Sequence, residues 1–165
     1  MDSTKPDVGF IMIGMSERQT MGVSEWKGGV ATHYLLEYQL QRTDAGRASS
    51  KRPRQSNDCT VRAVATARGM EYDVAYDLLA AEGRKCERGF HLEKWLNVQP
   101  WARKMPFPAV KGQRRMNPHT FCKTYTTGRY ICRVAKHVFA VIDGVVYDTF
   151  ADRPDRCIYT AWEIT

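Results

Sequence analysis

Three residues of this chain have the types and the order that thiol chemistry requires: Cys59, His137 and Asp148. A cysteine attacks a carbonyl as its thiolate, a histidine takes the thiol proton, and a carboxylate fixes the histidine ring. Cys59 lies in the stretch Gln55–Gly69. There Asn57 or Asp58 can cap a helix, Val61, Val64, Ala65 and Arg68 recur at helical spacing, and Gly69 can end it in the left-handed conformation. This reading puts Cys59 on the first helical turn, where free N–H groups and the positive end of the helix dipole favour a thiolate. The same N–H groups suit a developing oxyanion, with Gln55 or Asn57 as a candidate side-chain donor. Taken singly, a buried structural cysteine, a partly buried strand histidine and an acid at a strand end are the commoner fates. Their joint placement is what favours chemistry.

The two later members depend on a hairpin. The runs His137–Ile142 and Val145–Phe150 are rich in Val, Ile, Tyr and Phe, and Asp143-Gly144 between them is a two-residue turn signal. That turn sets Ile142 opposite Val145, Ala140 opposite Tyr147 and Phe139 opposite Asp148. Asp148 then becomes the diagonal neighbour of His137, within side-chain reach. Asp143 competes for the third role, but turn chemistry alone explains it and sends its side chain to solvent. Asp148 lies inside the strand, where a solitary carboxylate would be costly.

The remaining elements must hold these parts. Thr43–Arg54 is poor in large apolar residues and ends in Lys51-Arg52-Pro53-Arg54, so it is predicted to be an exposed linker. The expected division is an N-terminal appendage over 1–48 and a main domain over 49–165. Within the appendage, Phe10–Met15 reads as a short strand, Gly22–Gly29 as turns, and Val30–Gln41 as a strand of period two. After the Cys59 helix, Asp73 is expected to cap a second one, with Val74, Ala75, Leu78 and Leu79 as its apolar stripe and Gly83 as its end. Leu92, Trp95 and Leu96 mark a short helix. Pro100, Pro106 and Pro108 interrupt the next stretch, so 103–115 reads as a basic loop, and Asn117-Pro118 opens another short helix. Arg129–Val134 precedes the hairpin, and Cys157–Trp162 reads as a closing strand. Helices followed by strands predict an α+β domain, with the nucleophile helix packed on an antiparallel sheet.

Composition bounds the partners. The net charge is +7, and the basic excess lies in residues 51–136. That middle region can attract an acidic protein or nucleic acid, although an ordinary solvated surface explains it more simply. Tyr34 and Tyr38 offer stacking faces, but no recognised nucleic-acid motif accompanies them. The 5 cysteines are irregularly spaced and odd in number, which suits free thiols in a reducing compartment. Cys122, Cys132 and Cys157 read as core. Neither Cys86 with His91 nor His119 with Cys122 has further ligands at zinc-like spacing, so neither a metal nor another cofactor is expected. No apolar run reaches membrane-spanning length and the polar start is unlike a secretory signal, so the expectation is a cytoplasmic protein without membrane contact.

A family resemblance adds to this reading. Asn57-Asp58-Cys59 followed by Val61-Arg62-Ala63, and Gly83-Arg84-Lys85 after the next helix, resemble the small papain-like cysteine-peptidase proteins of tailed bacteriophages. The run from His137 to Thr149 resembles the same group and, more loosely, the His-to-Asp segment of C39-like, bacteriocin-processing peptidases. The resemblance spans roughly residues 55–162. It implies a papain-like fold with Cys59 as nucleophile, His137 as base and Asp148 as orienting acid. Gln55 stands closer to the cysteine than the oxyanion-hole glutamine of papain-like enzymes commonly does. The implied function is a cysteine peptidase on a protein or peptide substrate, in the host cytoplasm or the virion. The alternative is a catalytically silent papain-like fold serving as a binding or virion accessory protein of a phage.

Overall fold

The computed structural model describes residues 38–88, 90–150 and 155–165. The expectations for Phe10–Met15, Gly22–Gly29, Tyr34 and most of Val30–Gln41 lie outside the described residues. Within them, the protein is a mixed α/β fold with four α-helices and one six-stranded sheet. The strands are β1 (Gln39–Arg42), β2 (Ala102–Pro106), β3 (Arg129–Val134), β4 (His137–Ile142), β5 (Val145–Asp148) and β6 (Thr160–Ile164). The helices are α1 (Cys59–Arg68), α2 (Tyr72–Ala81), α3 (Leu92–Leu96) and α4 (Pro118–Thr124).

The sheet order is β1-β5-β4-β3-β6-β2. The β4–β5 hairpin has the expected register, with Ile142 opposite Val145 and Ala140 opposite Tyr147. Alternating residues of the central strands feed two apolar clusters. Ile131, Val138 and Ala140 pack with Val61, Val64, Leu79, Trp95 and Trp162. Cys132, Phe139 and Val141 pack with Phe121, Tyr130 and Ile158. Period two in the strands thus places a buried layer on each side of the sheet.

Three departures from the sequence reading bear on the site. First, the sheet is not wholly antiparallel, because β1 runs parallel to β5 at its edge. Gln39–Arg42 therefore belongs to the sheet, and the expected boundary near residue 48 does not separate it from the main fold. Arg42 lies beside Asp148, and Thr43 N–H donates to the Asp148 carbonyl at 2.9 Å. Second, the basic run is no free linker. Arg52 donates to Asp73 and Asp77, each at 2.6 Å, and lies over the Tyr76 ring. Third, the predicted basic loop contains β2, which pairs with β6. Its polar side chains hide the strand period, and Pro106 is tolerated because β2 is an edge.

The helix starts follow local chemistry in part. Asn117 Oδ1 accepts from Thr120 N–H at 2.9 Å, capping α4 as expected. α2 begins at Tyr72, one residue before the expected capping region, with Asp73 inside the first turn. Asp73 is turned toward Lys51 N–H and Arg52. The helix buries Tyr72, Ala75 and Leu79, while Val74 and Leu78 of the expected stripe stay exposed. The Asp143-Gly144 turn forms with both residues at positive φ. A Cβ on Gly144 would stand 2.9 Å from the Cys122 carbonyl, so this turn packs where only glycine fits. Asp143 is not simply solvated, because its Oδ1 accepts from Gly128 N–H at 2.9 Å.

Candidate active site

Cys59 is the first residue of α1 and is partly buried. The chain enters the helix through Asn57 at φ 50, a left-handed conformation that asparagine tolerates. Asp58 holds the N-cap position, yet its side chain makes no capping hydrogen bond. The first-turn N–H groups beside Cys59 are therefore not consumed by the cap. α1 packs against β4, while His137 opens β4 and Asp148 closes β5. Antiparallel pairing brings those two strand ends to one end of the sheet.

His137 Nε2 and Asp148 Oδ2 are 2.5 Å apart. Cys59 lies beside the His137 side chain and the Val138 N–H, close enough for both to favour its thiolate. With Nε2 engaged by Asp148, Nδ1 is the ring nitrogen left for Cys59. Burial alone would raise the Cys59 thiol. The His137 hydrogen bond and charge, the Val138 N–H and the Arg62 charge outweigh burial, leaving the thiol below its ordinary value. Burial likewise opposes the imidazolium, but Asp148 and Cys59 push His137 up to about 9. Asp148 is held below the usual carboxylate range, against its burial, by His137, Arg62 and Thr149 N–H. All three shifts favour thiolate, imidazolium and carboxylate together.

Behind these residues lies a buried ionic strut. Arg62 Nη1 contacts Asp148 Oδ1 at 2.5 Å, and Arg62 Nε contacts Asp58 Oδ1 at 3.1 Å. Arg47 Nη1 reaches Asp58 at 3.3 Å and the Gln55 carbonyl at 3.2 Å, while the Tyr72 hydroxyl donates to Asp58 Oδ2 at 2.9 Å. Burial and the Asp58 contact hold Tyr72 protonated well above its ordinary range. Asp58, Arg62 and Asp148 are 3%, 9% and 3% exposed. At that burial each charge needs its partners, and breaking such a pair costs about 3–5 kcal/mol. Arg62 carries Asp148's second oxygen, so the carboxylate is fixed from two directions. Sequence reasoning singled out Arg62 only as part of a motif. The i, i+4 spacing of Asp58 and Arg62 was the available signal, but surface helices share it.

A cleft of about 850 Å³ is lined by Cys59 and His137 together with residues of Phe90–Asn97, Arg133–Val138 and Tyr159. Asn57 lines it, and its Nδ2 also reaches the Glu87 carbonyl at 3.3 Å. Gln55 is not among the lining residues, and its Oε1 is buried without a hydrogen-bond partner. Cys122 and Cys132 are buried, with burial pushing the former up to about 12 and the latter well above the ordinary thiol range. Cys157 is only partly buried, unlike the expected core residue, and Cys86 is exposed. Among the described residues, no group of three or more His, Cys, Asp or Glu could hold a metal ion. No helix among them is long and apolar enough to cross a membrane. The chain matches no protein-family model, no curated protein and no solved structure.

Proposed function

We propose that this protein is a thiol-dependent hydrolase, a papain-like cysteine peptidase of the tailed-phage type, acting on protein or peptide in the host cytoplasm or the virion. The observation that carries the reading is the placement of Cys59 beside His137, with His137 Nε2 on Asp148, the thiol lowered and the imidazole raised. An open cleft beside the sulfur supports a chain-like substrate over a small enclosed one.

In this reading the Cys59 thiolate attacks the scissile carbonyl carbon, and the carbonyl π electrons move onto oxygen. The Cys59 N–H at the start of α1 and the free N–H of Asn57 Nδ2 stabilise that oxyanion. His137 gives its Nδ1 proton to the departing amine as the C–N bond breaks, leaving a thioester on Cys59. Water then loses a proton to His137 and attacks the thioester, releasing the acid and restoring the thiolate–imidazolium pair. Asp148 keeps Nε2 protonated and the ring oriented throughout. Gln55, off the cleft, has no part in this scheme.

The test is site-resolved iodoacetamide labelling at neutral pH, followed by a peptide-library cleavage screen with and without Cys59→Ala. Cys59 is expected to alkylate faster than exposed Cys86, and cleavage should vanish in the variant. Slower labelling at Cys59, or cleavage that survives Cys59→Ala, overturns the proposal.

A further inference from the structure

The charges around the cleft are one-sided. From α3 and its N-cap the lining takes His91, Glu93 and Lys94, and from the β3–β4 side it takes Arg133 and Lys136. Glu93 is the sole acid among these, and it is already spent. Lys104 Nζ holds one of its oxygens at 2.9 Å and Arg133 Nη1 the other at 2.8 Å. At the same end, Arg115 and Arg133 both stack on Tyr159, with guanidinium carbons 5.0 and 5.8 Å from the ring centre. Lys94 and Lys136 are exposed and have no acidic partner among the described residues. Both line the cleft, one from α3 and one from the two-residue turn between β3 and β4. With one proton shared between them, Cys59 and His137 add no net charge, whether as thiolate and imidazolium or as thiol and imidazole.

We propose that this cleft selects peptides carrying Asp or Glu side chains beside the bond to be cut, with Lys94 and Lys136 as the two recognising cations. The inference deepens, and rests on, the reading of Cys59 as a nucleophile. Two unpaired ammonium groups lining a groove lower the energy of an anionic chain there and raise that of a cationic one. Lysine suits this task as a mobile point charge that follows a carboxylate at varying register. An acidic side chain entering near Arg133 would also compete for a guanidinium that Glu93 only half occupies.

The experiment compares Cys59 alkylation by iodoacetate, which is anionic, and iodoacetamide, which is neutral and similar in size. The ratio of the two rates cancels changes in thiol reactivity and reports the potential in the cleft. Lys94→Gln and Lys136→Asn remove the charges, and asparagine suits the φ of 59 at residue 136. Each is expected to lower the iodoacetate-to-iodoacetamide ratio about twofold at low ionic strength, with the differences fading toward 1 M salt. A second arm measures binding of two hexapeptides with a neutral fluorophore to Cys59→Ala, one with two glutamates and one with glutamines in their place. The glutamate peptide should bind several-fold more tightly, and that preference should fall in the lysine variants. Rapid iodoacetamide labelling with a ratio unmoved by either lysine, and no glutamate preference, overturns the acidic specificity while leaving the nucleophile. An unreactive Cys59 overturns the nucleophile, and the peptide arm then decides the cleft by itself.

Discussion

Replacing Asp148 by asparagine removes one charge from two buried contacts at once. His137 has an ordinary pKa of 6.5 and stands at about 9, a gain held by Asp148 and Cys59 together. At about 1.4 kcal/mol per unit, that is roughly 3 kcal/mol in favour of the imidazolium. Asp148→Asn removes the largest raising contribution, so His137 should titrate roughly one unit or more lower. The second contact is Arg62, which keeps Asp58 and the Thr149 hydroxyl but loses its shortest partner. Breaking a buried pair costs about 3–5 kcal/mol. The retained Asp58 contact argues for the lower end, which a fold of about 5–15 kcal/mol survives. The signs with pH are distinct. The depressed Asp148 contributes stability above the ordinary carboxylate pKa and loses it as pH falls through its native value. The raised His137 contributes stability that is full below 6.5 and disappears as pH rises through about 9. The deficit of the variant should therefore be largest near neutrality and shrink in acid. NMR titration of His137 and urea unfolding at several pH values measure both parts. Asp143→Asn is the control, because it preserves the turn and the acceptor for Gly128 N–H. An unchanged His137 pKa in Asp148→Asn, or an equal shift in the control, refutes the reasoning.

The thiolate–imidazolium pair should give peptide cleavage a bell-shaped profile. Its acid limb lies below the ordinary thiol range and its alkaline limb near 9, where His137 loses its proton; a pH–rate series checks this. Arg62→Met leaves Asp58 and Asp148 short of their shared cation and should cost about 3–5 kcal/mol, with Arg62→Lys recovering part because it meets one carboxylate at a time. Urea midpoints and Cys59 alkylation rates for the two variants test that order. A chain beginning at Arg47 lacks β1 and the buried Leu40, so it should unfold about 2–4 kcal/mol more easily than one beginning at Tyr38. Equal midpoints would show that β1 adds nothing to the sheet.

The parts legible in the sequence were those written in local code. Asp143-Gly144 fixed the hairpin register, Asn117-Pro118 opened α4, and Leu92, Trp95 and Leu96 marked the inner face of α3. The hairpin register in turn set Asp148 beside His137. What stayed hidden depends on contacts across long sequence separations. The strand read over Val30–Gln41 overlaps β1, but only the pairing with β5 reveals that Gln39–Arg42 joins the main sheet. β2 is a polar edge whose partner is the last strand. Arg52 reads as part of a charge run until α2 supplies Asp73 and Asp77. Arg62 is only one letter of the Val61-Arg62-Ala63 motif until Asp148 arrives from 86 residues away. For Val74 and Leu78 the helical period was correct but the buried face proved narrower, because α2 packs mainly through Tyr72, Ala75 and Leu79.

The ionic strut has an evolutionary corollary. Asp58, Arg62 and Asp148 join helix to hairpin without using the sulfur of Cys59. Replacing the cysteine would abolish the proposed reaction and leave the joint intact, whereas losing Arg62 would strike the joint itself. Inheritance of shape and inheritance of reactivity are therefore separable here, and only in one direction. A descendant can discard the chemistry in a single step and retain a grooved scaffold for another use. Among relatives of this chain, an Asp-x-x-x-Arg spacing with its distant acid should outlast the cysteine, and it would trace descent where the nucleophile no longer does.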